Sequence, residues 1–336
     1  MKHAFKRLTA LIMIMVFTCI SLTGCTTHTT KNDNKKITLN EVAHSIFYAP
    51  QYVAIEKGYF KDEGIDLTLV TGFGADKVMT ALISGDADIG FMGSEASVYI
   101  YTGGSSDYAV NFAQLTQRAG NFLVSRDNIS NFKWSDVKGK TIIGGRAGGM
   151  PQMLLEYILK KNNIDCKKDV EIVQNIDFGS TAAAFASGLG DFTVEFEPSA
   201  TAIESENKGY IAASLGVDSG YVPYTAYCAK KSFLKNNPEI IQSFTNAIQK
   251  GLEFVNSHNS SEIAAVIAPQ FKETDIQTLT KIVERYKSQD TWKNDTIFEE
   301  SSFSLLTDIL KQAGELDENV PYNKLVTTDF SKKAVK

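Results

Sequence analysis

The sequence predicts an α/β fold with two lobes, each a mostly parallel sheet flanked by helices, joined by two hinge strands. The first observation behind this prediction is a βαβαβ order of elements that begins at Ile37 and returns at Lys140. The second is an echo between the copies, since SGDADIGFMGSEAS at 84–97 resembles SGLGDFTVEFEPSA at 187–200. The third is length, because 336 residues can bury the cores of two medium lobes. Alternating strands and helices favour parallel sheets that are covered on both faces.

The elements of each copy follow from hydrophobic periodicity. In the first copy, ITLNEVAHS predicts a strand and YAPQYVAIEKGYFKDEG a helix that ends at Gly64. A strand (IDLTLVTG), a helix (ADKVMTALISGD) and a strand (ADIGFMG) complete it. In the second copy the corresponding segments are KTIIGGRAGG, MPQMLLEYILKKNNID, VEIVQNID, STAAAFASGLG and DFTVEFEP.

Two strand-like stretches, 108–126 and 221–234, belong to neither copy and are predicted to connect the lobes. Pro238 then opens a helix with an apolar stripe, and DIQTLTKIVERYK and FEESSFSLLTDILKQ predict two more helices. The predicted boundaries are 37–115 for the first part of lobe 1, 116–224 for lobe 2 with the hinge crossovers, and 225–336 for the return to lobe 1 with the C-terminal helices.

The N-terminus has the features of an exported lipoprotein. Basic residues precede the apolar run LTALIMIMVFTCISL, which is short for a membrane span and predicts a signal peptide over 1–24. The run ends in LTGC, which resembles the bacterial lipobox and predicts lipidation, palmitate included, at Cys25. Residues 25–36 are polar and predict a flexible tether. We therefore expect a protein anchored on the extracytoplasmic side of the cell membrane, and the Lys, Asn and Ile usage favours a Gram-positive host.

Composition and motifs exclude several function classes. With 34 Lys and Arg against 39 Asp and Glu, the chain has a net charge of −5, which argues against a nucleic-acid partner. Cys166 and Cys228 have neither zinc nor redox spacing and predict buried free thiols or, in an exported protein, a disulfide. There is no GxSxG motif, phosphate loop or metal cluster, so we expect no enzyme, no catalytic residue, no metal and no cofactor.

Ligands of open parallel sheets sit beyond the carboxyl ends of the strands, so two such sheets would enclose a cleft. The residues that follow the strands, or lie on the first crossover, are therefore the predicted ligand-binding residues. They are His44, Ser45, Phe47, Tyr48, Ser94, Glu95, Gln117, Arg118, Gly148, Gly149, Met150 and Glu197.

Several of these residues have a structural alternative. Phe47 and Tyr48 either stack on a flat ligand or pack a helix start. Glu95 and Glu197 either face the ligand or cap the helices that follow them. Arg118 is a ligand contact or a hinge contact. Glu195 shares a strand face with Glu197 and is expected to form an ion pair, either buried or at the rim, with Arg146 as one candidate partner.

From Ile37 to its end, the chain resembles substrate-binding proteins of ABC importers, in the group that binds thiamine pyrimidine precursors, riboflavin, taurine, alkanesulfonates and nitrate. The segments that carry the resemblance are APQYVAIEKGYFKDEGIDLTLV, ALISGDADIG, VKGKTIIGG, FLKNNPEIIQSFTNAIQKGLEFV and VPYNKL. It implies the type II periplasmic binding protein fold, with the last helices packing on the first lobe. It also implies a monomer that takes a small molecule to ABC permease subunits with a cytoplasmic ATPase.

Within this group, AHSIFYAPQYVA and FMGSEAS are most similar to the pyrimidine-precursor branch, which has a tyrosine and an acidic residue where Tyr48 and Glu95 stand. Two carboxylates on opposing walls, Glu95 and Glu197, favour a flat ligand with amino or ring N–H donors. Arg118 and the helix start at Gly148 leave space for a phosphate on that ligand.

Two other functions stay open from the sequence. One is binding of an alkanesulfonate, taurine or nitrate. The other is a secreted lipoprotein hydrolase or a pyrimidine synthase-like enzyme. The chain lacks the cysteine-rich motif of the eukaryotic pyrimidine synthases, which argues against the enzyme.

Overall fold

Ten strands organise residues 34–335, the part of the chain that the computed structural model describes. They are β1 (Lys35–Glu41), β2 (Ile65–Thr71), β3 (Ile89–Gly93), β4 (Ala109–Gln114), β5 (Asn121–Ser125), β6 (Thr141–Ile143), β7 (Glu171–Val173), β8 (Phe192–Phe196), β9 (Tyr210–Ser214) and β10 (Thr225–Lys230). They form two five-stranded sheets with the orders β2-β1-β3-β10-β4 and β7-β6-β8-β5-β9. The predicted signal peptide and Cys25 lie outside the described residues, as does most of the predicted tether.

Helices flank both sheets. They are α1 (Ala49–Glu56), α2 (Tyr59–Asp62), α3 (Ala75–Ser84), α4 (Glu95–Thr102), α5 (Met150–Lys161), α6 (Thr181–Ala186), α7 (Ser199–Ser205), α8 (Leu215–Ser219), α9 (Lys231–Asn236), α10 (Pro238–Ser257), α11 (Ser260–Ile267), α12 (Ile276–Ser288), α13 (Glu300–Ala313), α14 (Tyr322–Leu325) and α15 (Asp329–Ala334). None of these helices has the length and apolarity that crossing a bilayer requires.

Each sheet contains one antiparallel strand, which enters from the other lobe. Strands β1, β2 and β3 are parallel, and β10 runs antiparallel between β3 and β4. In the second sheet β5 runs antiparallel between β8 and β9. Along the chain, β5 follows β4 and β10 follows β9. The first crossover therefore leads from the first sheet into β5 of the second sheet, and the second crossover leads back into β10 of the first sheet. The predicted fold class, two lobes on mostly parallel sheets with two hinge connections, is confirmed.

The repeat is longer than the sequence indicates. Helix α4 and strand β4 extend the first copy, and helix α7 and strand β9 extend the second in the same order. Parts of 108–126 and 221–234 thus belong to the sheets themselves. The periodicity of β4 and β9 does not reveal that they extend the two copies. In the sheets, β10 lies between β3 and β4, and β5 lies between β8 and β9, so neither β4 nor β9 pairs with a strand of its own copy.

The similar stretches at 84–97 and 187–200 perform the same structural task. Gly85 and Gly188 follow the helices α3 and α6 with φ of 90° and 111°, a conformation that glycine adopts without a steric penalty. Asp88 then accepts a hydrogen bond from the Thr38 amide at 2.9 Å, in β1. Asp191 accepts the equivalent bond from the Thr141 amide at 2.9 Å, in β6. The repeated sequence therefore turns the chain and ties the third strand of each copy to its first strand.

The C-terminal helices pack on the first lobe, as the resemblance implies, and also contact the second lobe. Helix α10 packs on α1 and α15, whereas α13 packs against α5 of the second lobe. The Lys160 ammonium, on α5, also donates to the carbonyl of Gln312 at 2.7 Å. The resemblance did not reveal this contact, because the apolar stripe of α13 does not specify which lobe covers it. Of the two alternatives for Cys166 and Cys228, the structure has free thiols, and only Cys228 is buried.

Candidate functional site

A cavity of about 510 Å³ lies where the carboxyl ends of strands from both sheets meet. The first lobe contributes the residues after β1, the start of α3 and the start of α4. The second lobe contributes the loop between β6 and α5, and Phe196 at the end of β8. The volume is in the range of pockets that enclose a small organic molecule.

Glu95 is the buried acidic group of the cavity. It is the first residue of α4, and only 2% of it is exposed. Its Oε2 atom has no hydrogen-bond partner among the described residues. Burial raises the pKa of Glu95 to about 8, against a smaller lowering by the backbone amides of Glu95 itself and Met150. The carboxyl group therefore presents an unused acceptor to the cavity.

An aromatic wall lies beside this acceptor. Tyr48 lines the cavity at the end of the short 3₁₀ turn Ile46–Tyr48, and its ring contacts Phe91 at 4.5 Å between centroids. The Tyr48 hydroxyl forms no hydrogen bond with the described residues, and burial raises the pKa of Tyr48 well above its usual value, so it stays protonated. Phe196 and Tyr224 line the same cavity. A flat ligand would thus meet ring faces together with one free hydroxyl and one free carboxyl oxygen.

The N-terminus of α5 faces Glu95. Gly149 occupies its N-cap position, and Gly148, Gly149 and Met150 all line the cavity. A helix N-terminus attracts anions, because its first amides lack partners within the helix. Here the Met150 amide interacts with the Glu95 carboxyl group. The protein's own carboxyl group therefore lies near the helix start at which an anionic ligand would bind.

Charged side chains line the exposed rim of the cavity. The Arg146 guanidinium forms an ion pair with Asp76 at 3.0 Å, which joins the second lobe to the first. Glu315, which follows α13, is exposed and also lines the cavity. The cavity is thus lined by three acidic residues and one arginine, and that arginine already has a carboxylate partner.

Direct contacts hold the two lobes together around the cavity. The Tyr99 hydroxyl, on α4, donates to the carbonyl of Gly148 at 2.8 Å. The Ser45 hydroxyl donates to the carbonyl of Glu197 at 2.6 Å. Together with the ion pair of Asp76 and Arg146, these contacts make the structure a closed arrangement of the lobes.

Of the twelve predicted ligand-binding residues, five line the cavity: Tyr48, Glu95, Gly148, Gly149 and Met150. The other seven lie outside its lining and have partners within the protein.

Four of these seven lie in the first lobe. His44 sits between the Glu41 carboxylate and the Gln270 carbonyl, each 2.9 Å from a ring nitrogen, and the bond to Glu41 raises its pKa. Ser45 contributes the contact to Glu197 described above. Phe47 is fully buried among aromatic rings, and the Ser94 hydroxyl donates to the Pro223 carbonyl at 2.5 Å.

Two lie on the first crossover, between β4 and β5. The Gln117 amide donates to the carbonyls of Asp290 and Trp292, both at 3.2 Å. The Arg118 guanidinium stacks on the ring of Tyr221 and donates to the Gly216 carbonyl at 3.1 Å. The contacts that the structure shows for Arg118 are therefore hinge contacts, which is one of its two predicted alternatives.

Glu197 and Glu195 are buried in the second lobe, outside the cavity lining. Glu197 forms an ion pair with Arg285 and accepts hydrogen bonds from Thr201, although burial still raises its pKa. Glu195 accepts from the hydroxyls of Thr193 at 2.6 Å and Thr181 at 3.1 Å, and burial raises its pKa to about 7. The expected pair of Glu195 with Arg146 does not form, because Arg146 reaches across the cleft to Asp76.

Most of the other lining residues were not predicted from the sequence, among them Tyr99, Phe196, Tyr224 and Glu315. Tyr224 reaches the cavity because β10 runs antiparallel to β3 and so begins beside the end of β3. A prediction that the second crossover enters the first sheet in this direction would have placed Tyr224 there. Phe196 precedes Glu197 at a strand end. Tyr99 lies one turn into α4, and Glu315 comes from a distant helix, so neither position follows from the strand ends.

The family model described as "NMT1/THI5 like" matches residues 46–261. YtlA of Bacillus subtilis (strain 168), which is named as a binding protein, is 44% identical over 318 residues, or 95% of this chain and 94% of YtlA. The 4-amino-5-hydroxymethyl-2-methylpyrimidine phosphate synthase of Aspergillus parasiticus is 23% identical over 220 residues, which cover 62% of this chain and 63% of the synthase.

Among solved structures, the periplasmic nitrate-binding protein NrtA of Synechocystis PCC 6803 superimposes with a TM-score of 0.76. The match covers 90% of this chain and 89% of NrtA, at 15% sequence identity. At that identity the likeness shows the fold alone. Together with the family match, it confirms the resemblance found in the sequence.

Proposed function

The chain belongs to the NMT1/THI5-like family, and from this premise we propose that it captures a small, flat nitrogen heterocycle by lobe closure and delivers it to an ABC importer. It is a solute-binding protein, and the heterocycle, of the kind found in pyrimidine-type thiamine precursors, is the finer part of the proposal. The observation that carries this part is the pairing of two free polar atoms, Glu95 Oε2 and the Tyr48 hydroxyl, in an aromatic cavity.

The two polar atoms match the edge of an aminopyrimidine. A carboxylate accepts hydrogen bonds from an exocyclic amino group or a ring N–H. The Tyr48 hydroxyl, which stays protonated, can donate to an unprotonated ring nitrogen. Tyr224 and Phe196 supply apolar surface for the ring itself. Such a ligand would leave neither polar atom of the cavity unsatisfied.

The same cavity disfavours an oxyanion. The Met150 amide, at the α5 start, already interacts with Glu95, and Arg146 is paired with Asp76. A sulfonate, nitrate or phosphate would therefore face the Glu95 carboxyl group, with repulsion of several kcal/mol at low effective dielectric if that group is ionised. The same repulsion would disfavour a phosphate on the heterocycle.

Binding of an alkanesulfonate, taurine or nitrate is the second candidate. The observation in its favour is the fold likeness to NrtA, a nitrate-binding protein. The synthase of A. parasiticus raises an enzyme as a further alternative, although the chain covers only 63% of that protein. Turnover of any bound heterocycle would favour the enzyme.

The proposal extends to place and partners. A lipid on Cys25 would hold the protein at the extracytoplasmic face of the membrane, where a monomer would dock on permease subunits that are driven by a cytoplasmic ATPase. The lipobox-like LTGC supports the anchor. If a Cys25→Ala variant still fractionated with membranes after export, this part of the proposal would fail.

A thermal-shift screen tests the ligand class. A ligand that binds only the native state raises the melting temperature, so pyrimidines, flavins, sulfonates, nitrate, polyamines and amino acids can be compared directly. We expect the largest shift from 4-amino-5-hydroxymethyl-2-methylpyrimidine or a close relative. A shift with sulfonates alone would favour the second candidate.

A further inference from the structure

Glu95 interacts with both lobes at once. It begins α4 of the first lobe, and the amide that reaches it from across the cleft belongs to Met150, at the start of α5 in the second lobe. Closing the cleft therefore brings the Met150 amide to the Glu95 carboxyl group and removes water from it. Opening the cleft would separate these two groups and return the carboxyl group to water.

Among the residues that the structure describes, no positive charge compensates Glu95 in the closed arrangement. The titratable groups near it are the hydroxyls of Tyr48, Tyr99 and Tyr224. Two of these donate elsewhere, Tyr99 to Gly148 and Tyr224 to Asn121. The other charged residues that line the cavity are Arg146, which is paired with Asp76, and Glu315, which adds negative charge.

A buried carboxylate with one unpaired oxygen is unfavourable, because neither water nor a counter-ion replaces its hydration. In an open cleft the group regains water and its ordinary pKa of 4.5, whereas closure raises that pKa to about 8. Between these values, closure of the empty cleft requires either proton uptake or burial of the charge.

We infer that Glu95 makes lobe closure depend on a ligand: its unpartnered carboxylate keeps the empty cleft open, and an N–H donor on Oε2 allows it to close. The inference rests on lobe closure, which is part of the proposed function, but not on the identity of the ligand. Protonation of Glu95 replaces the ligand donor, so low pH closes the empty protein. In a transport cycle this would limit the closed population of empty binding protein.

Two variants and one matched control separate this role from a general effect of burial. Glu95→Gln keeps the size of the side chain and removes the charge, and Glu95→Met removes both the charge and the polar atoms. Glu195→Gln is the control, because Glu195 is also buried with a raised pKa but lies outside the cavity lining. Thermal denaturation confirms that each variant is folded before closure is measured.

The lobe distance can be measured by double electron–electron resonance without any ligand. Spin labels at the exposed positions Lys77, on α3, and Asn175, which follows β7, report on opposite lobes in a chain whose reactive cysteines are replaced by serine. For the wild type we expect the open distance at pH 7.5 and a growing closed population down to pH 5. The closed-to-open ratio should change by up to about tenfold per pH unit.

At pH 7.5, Glu95→Gln and Glu95→Met should show the closed distance without ligand and lose most of the pH dependence. Glu195→Gln should behave as the wild type does. The bond to Glu41 raises the pKa of His44, but His44 contacts Glu41 and Gln270 outside the cavity, and it is present in every variant. The inference is overturned if wild type and Glu95 variants share one distance distribution at each pH, or if Glu195→Gln closes the cleft equally well. Because no ligand is added, these results are independent of the thermal-shift screen, which tests the ligand class.

Discussion

The guanidinium carbon of Arg118 lies 3.9 Å from the centre of the Tyr221 ring, so the first crossover between the lobes is stacked on the second. The Tyr221 hydroxyl in turn donates to Asp290 at 2.6 Å, and Arg118 donates to the Gly216 carbonyl. These contacts tie both hinge connections to each other and to the residues after α12. These contacts give Arg118 a structural role in the hinge that does not depend on a ligand.

Replacement of Arg118 by methionine should therefore lower stability and leave ligand preference unchanged. The variant loses the cation–π contact and the hydrogen bond to Gly216, together worth on the order of 1 to 3 kcal/mol. Urea denaturation measures the loss, and calorimetry compares the affinities of the same ligands. A variant of normal stability that no longer binds ligand would instead make Arg118 a ligand contact.

Glu95→Gln should weaken binding of an aminopyrimidine by about tenfold. The ligand loses a charged acceptor, while easier closure of the variant offsets part of that loss. Isothermal titration calorimetry measures the change. Glu315→Gln is the control, because Glu315 also lines the cavity but is exposed, so its charge is screened by water. Equal affinities of wild type and Glu95→Gln would count against the acceptor role.

Glu197→Gln should destabilise the fold without changing ligand affinity directly. It breaks the ion pair with Arg285, whose side chain is only 21% exposed, and Glu204 at 3.9 Å is left as the remaining carboxylate near the guanidinium. We expect a loss on the order of 1 to 3 kcal/mol in urea denaturation. The double variant with Arg285→Met should recover part of it. If Glu197→Gln kept full stability and lost ligand binding, Glu197 would instead be a ligand contact, as the sequence predicts.

The pH dependence of stability should change in Glu195→Gln. Burial raises the pKa of Glu195 from 4.5 to about 7, so the folded state binds this proton more tightly than the unfolded state does. The resulting stabilisation is fully present below pH 4.5 and is lost as pH rises through 7, a difference on the order of 3 kcal/mol. Relative to the variant, the wild type should therefore lose stability between pH 5 and pH 8 in urea denaturation. Parallel curves for both proteins would contradict the raised pKa.

The sequence predicts much of this fold because its signals are local. Gly85 and Gly188 turn the chain after equivalent helices, and Asp88 and Asp191 bind equivalent first strands, so the repeat can be read without distant contacts. The same reasoning predicts that Glu95 follows a strand at the cleft.

What the sequence does not reveal depends on partners far along the chain. Glu197 is bound by Arg285, 88 positions later, and Arg118 by Tyr221 on the other crossover. Glu315 follows α13, a helix outside both βαβαβ copies, so its place at the cavity does not follow from the strand ends. The position of a residue at a strand end predicts which edge of the sheet it lies on. It does not predict which charged group or aromatic ring elsewhere in the chain contacts its side chain.

The most direct test of the proposed ligand class is a calorimetric titration of the wild-type protein at pH 7 with 4-amino-5-hydroxymethyl-2-methylpyrimidine, and in parallel with taurine and nitrate. We expect saturable binding of the aminopyrimidine and none of the two oxyanions, because the acidic side chain of Glu95 lies beside the start of α5 in the cavity. Tight binding of taurine or nitrate, with no heat from the aminopyrimidine, would contradict it.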